Sequence, residues 1–166
     1  ACTAARLAPS IAMPIINANI NRSIDLQDPY IPLLWWWAVE RHCIEGNQEV
    51  LKRFVRPTLW KSELGRDKLL GLLVRRYAAE SSSPLRMELA RSSLFRLLQA
   101  APSQQERLRL WNFVDEGLQT LAISKADHRG TSPTESSEEL LDLLSEDLKA
   151  QSRNLSLLRI AMRHKF

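Results

Sequence analysis

Apolar residues recur at three- and four-residue spacings from one end of the chain to the other, and strand-like alternation is nowhere sustained, so the sequence reads as all-α. Ser10 is placed to cap a first helix running to about Ile24, with Ile11, Ile15, Ile16 and Ile20 as its apolar stripe and Pro14 in its first turn. A second helix is expected from Pro29 to about Ile44. Asp28 precedes it as an acceptor for the first orphan amides, Pro29 stands where a missing N–H costs nothing, and Gly46 ends it. Asn47 is expected to cap a third, carrying Val50, Leu51, Phe54 and Val55 until Pro57.

Beyond Pro57 the spacing predicts a short helix with Leu59, Trp60 and Leu64, terminated by Gly65. A periodic helix then opens at Asp67, burying Leu69, Leu70, Leu72, Leu73 and Tyr77 and leaving Arg75 and Arg76 outside. Ser81-Ser82-Ser83-Pro84 reads as a loop. Helices are expected next over Leu85 to Ala100 and from Ser103 to about Ile123, the latter with Leu108, Trp111, Val114, Leu118 and Leu121 on its inner stripe. The residues 124–137 form the longest polar segment and read as a surface loop. Two more helices close the chain, Glu138 to about Ser152, bearing Leu140, Leu141, Leu143, Leu144 and Leu148, and Leu155 to about Arg163.

A series of helices joined by short breaks fits either an irregular bundle or an α-solenoid of stacked hairpins. Pro-led or Ser-led helices return about every 35 to 45 residues, the period of paired-helix HEAT-like units, although no strict consensus repeats. Trp35, Trp36 and Trp37 weigh toward the solenoid. Successive residues on a helix lie about 100° apart, so all three indoles cannot enter one core, and at least one must meet an adjoining element. The expectation is one HEAT-like domain over residues 1–166, part of a longer protein, since the sequence opens at Ala1 without an initiator Met.

Composition adds little chemistry. The 45% hydrophobic and 25% charged fractions are those of an ordinary globular protein. No apolar run reaches the roughly 18 to 20 residues that cross a bilayer. The net charge of +4 invites a nucleic-acid reading, but the bases are interleaved with acids, as in Arg66-Asp67-Lys68, which is the pattern of solvated helix faces. Cys2 and Cys43 show no framework and no metal spacing. Arg41-His42-Cys43 holds the one histidine close to a cysteine, yet adjacent helical residues diverge and no helically spaced partner stands nearby. His128 and His164 lie far along the chain. With no phosphate loop, nucleophile elbow or haem-attachment sequence, no catalytic, cofactor-binding or metal-ligating residue is assigned. The candidate interaction surface is Tyr30, Trp35, Trp36, Trp37, Arg41 and His42. Two classes stay open: a non-catalytic scaffold that docks a protein partner, and a ligand-binding or enzymatic domain with its pocket around the Trp35–Trp37 helix.

The run Asp28-Pro29-Tyr30-Ile31-Pro32-Leu33-Leu34-Trp35-Trp36-Trp37-Ala38-Val39-Glu40 resembles a segment of the large exported membrane-bound dehydrogenases of planctomycete and verrucomicrobial bacteria, the PVC-type haem-binding family. Gly65-Arg66-Asp67-Lys68-Leu69-Leu70 and the Leu-rich helices fit the same pattern more loosely. Members join a sugar-dehydrogenase-like propeller, a HEAT-like helical region and a cytochrome domain with a Cys-x-x-Cys-His motif. The resemblance implies that this chain is the helical region, a periplasmic or exported spacer between redox parts that engages neighbouring domains of its own chain or a protein partner. Haem c would belong to the cytochrome part. No catalytic or haem-ligating residue carries over, because neither the propeller nor the Cys-x-x-Cys-His motif is in this sequence.

Overall fold

Where each helix begins is set by a side chain or backbone group able to receive its first amides. In the computed structural model, which describes residues 1–21, 26–81, 86–122 and 135–163, every regular element is helical. Asp28 Oδ1 accepts from the backbone N–H of Tyr30 at 2.7 Å and of Ile31 at 2.9 Å, opening α2 (Ile31–His42). The helix therefore starts two residues later than Pro29, with Pro32 in its first turn, where no amide is wanted. Asn154 Oδ1 does the same for Ser156 and Leu157 at the start of α8 (Leu155–Arg163). Ser103 Oγ receives the Glu106 amide at the head of α6 (Gln104–Ala122), one residue before the helix begins.

Two expected caps are displaced. Ser10 lies inside α1 (Pro9–Asn19), whose N-cap is Ala8; Pro9 takes the first helical position, and the extended Ala8 supplies the carbonyl that Ile11 and Ala12 share. Pro14 is consequently well inside the helix, and its missing N–H falls opposite the exposed Ser10, whose carbonyl water can serve. Asn47 is likewise the first residue of α3 (Asn47–Phe54), capped by Gly46. The α1 stripe is rotated from the expected one: Ala12, Met13, Ile16 and Ile20 are buried, whereas Ile11 and Ile15 face solvent. A window rich in Ile on several faces does not fix which side is inward; the small Ala12 and the adaptable Met13 allow the closer approach.

Gly65 does not end a helix. The chain passes from a 3-10 turn, Pro57–Lys61, through extended Ser62 into helix 63–80, within which Gly65–Leu69 forms a π turn and Leu70–Glu80 is α4. Ser62 is the cap: its Oγ accepts the Gly65 amide at 3.0 Å and donates to the Ile20 carbonyl, tying the start of this helix to the end of α1. A Cβ at residue 65 would lie 2.8 Å from Leu59 Cδ1, so glycine is there for the close approach of the 3-10 turn.

The chain divides into two compact units, Ala1–Leu73 and Val74–Phe166. In the first, α1, α2 and α3 pack on one another, and the 3-10 turn Ala4–Arg6 lies against α1 and α2. Its core includes Met13, Ile16, Trp35, Trp36, Val39, Leu51, Phe54, Leu64 and Leu69. In the second, α5 (Met87–Gln99) packs on α6 and on α7 (Glu135–Ala150), and α8 packs on α6 and α7. Tyr77, Leu94, Leu97, Leu98, Trp111, Leu144 and Ile160 fill that core. Residues 135–137 of the expected 124–137 loop open α7; the rest of that loop, most of the Ser81–Pro84 loop and the expected end of the first helix at Ile24 fall outside the described residues.

Candidate functional site

The α2 helix separates the expected interaction residues into two sets. Trp35, Trp36, Ala38, Val39, His42 and Cys43 point inward, and the indoles are 7% and 8% exposed. Tyr30, Leu33, Trp37 and Arg41 follow spacings of three, four and four and form the outer face. Tyr30 is 72% exposed, Trp37 53% and Leu33 42%. The three indoles do not share one core, as their angular spacing requires, but the third is presented to solvent and not to the adjoining element expected for it.

His42 belongs to the packing. Its Nε2 lies 3.0 Å from the Ala4 carbonyl, which can only accept, so Nε2 carries the proton and pins the N-terminal 3-10 turn to α2. Arg41 meets Glu45 at 3.7 Å with both side chains well exposed, a pairing worth about 0.3 to 0.5 kcal/mol. Trp35, Trp36 and His42 therefore offer nothing to a partner arriving from solvent, and the accessible surface narrows to Tyr30, Trp37 and Arg41. Leu33 completes the row. Its place between Tyr30 and Trp37 on one helical face was the signal for it, overshadowed by the indoles.

A more elaborate polar arrangement among the described residues lies elsewhere. Asp147, on α7, is fully buried and accepts from Arg107 Nε at 2.6 Å, from the terminal Arg107 nitrogen at 2.7 Å, and from Trp111 Nε1 at 2.8 Å. Asp115, on α6, is buried and accepts from Arg159 Nε at 2.8 Å, Arg163 at 3.0 Å and Gln119 at 2.9 Å. The bidentate fork on Asp147 is the strong form of such a bond. That hydrogen bond pushes the Arg107 guanidinium above its ordinary range; the charges of Asp147 and Glu146 add to the effect, and burial opposes it. Arg107 is thus held as a cation, and each carboxylate accepts from both an arginine and a second donor group. Chemically the arrangement holds helices together.

Among the described residues no group of His, Cys, Asp and Glu is placed to hold a metal ion. No disulfide joins Cys2, which is exposed, to Cys43, which is buried. No described helix is long and apolar enough to cross a membrane. No family model, curated protein or solved structure matches the chain.

Proposed function

We propose that the chain is a non-catalytic helical scaffold whose α2 outer face docks a neighbouring domain of a longer protein or a separate protein partner. The observation that carries this reading is the Tyr30–Leu33–Trp37 row, exposed on a helix whose other aromatic residues are buried. Rows of exposed large apolar side chains mark interaction sites more often than single ones do, and Tyr and Trp are the residues that concentrate binding energy at interfaces. The row spans eight residues, about 10 Å of helix, enough to seat the apolar stripe of one helix. Its backing is rigid, because Trp35, Trp36 and Val39 fix α2 from behind.

HEAT-like stacking is the architecture we assign to this scaffold. Within Val74–Phe166, α5 packs on α7 and α6 on α8, so equivalent helices of successive hairpins lie against each other, which supports that assignment. By the resemblance of Asp28 to Glu40, the scaffold sits between a sugar-dehydrogenase-like propeller and a haem c-binding cytochrome domain in an exported electron-transfer protein. Haem c is then a cofactor of the neighbouring domain and not of these helices.

The test uses the polypeptides encoded immediately upstream and downstream of this chain, expressed separately and titrated against it by calorimetry. Binding by one of them, weakened at least tenfold by Trp37→Ala and by Tyr30→Ala with the melting temperature unchanged, is the expected result. Binding indifferent to both substitutions would assign the interface elsewhere, and flanking sequences that encode no propeller and no Cys-x-x-Cys-His motif would remove the proposed setting.

A further inference from the structure

We draw no further inference here: the strongest candidate, the exposed Tyr30–Leu33–Trp37 row on the outer face of α2, belongs to the site already described, and nothing in the structure shows what covers it.

Discussion

Replacing Trp36 by alanine removes a nearly buried indole from the row it forms with Val39 and Cys43, both fully buried. The expected loss is about 3–5 kcal/mol, the usual large-to-small penalty. Its neighbour Trp37 is half exposed, and Trp37→Ala should stay within about 0.5 kcal/mol of the parent. Paired thermal melts separate the two; equal losses would mean that the helix is rotated from the orientation described. An effect as large as that of Trp36→Ala is expected at Asp147. Its removal leaves the Trp111 N–H without its acceptor and the Arg107 guanidinium with the longer contact to exposed Glu146, so Asp147→Ala should cost about 3–5 kcal/mol in urea denaturation. A change below about 1 kcal/mol would show that water replaces the carboxylate without penalty.

The pH behaviour of Arg107 follows from the direction of its shift. Its folded pKa is raised, so the stability it contributes is fully present below the unfolded guanidinium value and is lost only as pH climbs through the folded one, in strong alkali. The stability difference between the parent and Arg107→Gln should therefore be flat from neutral into mildly alkaline solution. Urea titrations at a series of pH values check this, and a difference that shrinks over that interval would contradict it.

At the scale of elements, Gly117 sits where two helices approach closely. A Cβ at Gly117 would run into the Arg75 carbonyl oxygen and lie 2.7 Å from Ala78 Cβ, so α6 crosses the later part of α4 with no room for a methyl group. Gly117→Ala should cost about 1–3 kcal/mol although alanine is the better helix former. A melting temperature at or above the parent's would show that the crossing relaxes. Much of this layer was legible in the sequence. Apolar spacing located the helices, and Asp28, Ser103 and Leu155–Arg163 were placed correctly. The reading failed where local signals compete. Glycine usually ends helices, which makes Gly65 read as a terminator, whereas Ser62 starts a helix three residues earlier and the glycine lies close against Leu59. The buried carboxylates escaped because charge was read as exposure. Yet Asp147 stands three and four residues beyond the buried Leu144 and Leu143, and Arg107, Trp111 and Asp115 repeat every fourth residue, so both acids occupy inward positions of their helices.

For the whole molecule, each unit draws on a different kind of cohesion. Ala1–Leu73 is held by aromatic and aliphatic packing around the two inward indoles, with His42 and Ser62 fastening separate segments through backbone carbonyls. Val74–Phe166 adds the two arginine-paired carboxylates, which bring α7 and α8 to α6. The candidate interaction face was half legible from sequence: the helix and its aromatic residues were identified, but which indole faces outward depends on packing against α1 and the N-terminal turn, information distributed over distant residues. On the proposed scaffold reading, the outer row of α2 is where substitutions should alter association and leave folding intact.

The indole N–H of Trp111 ends on a carboxylate carried by another helix, and that gives the protein a built-in stopwatch. Its proton should trade with solvent deuterium when Trp111 parts from Asp147, so one nuclear-resonance signal would time the opening of that single bond.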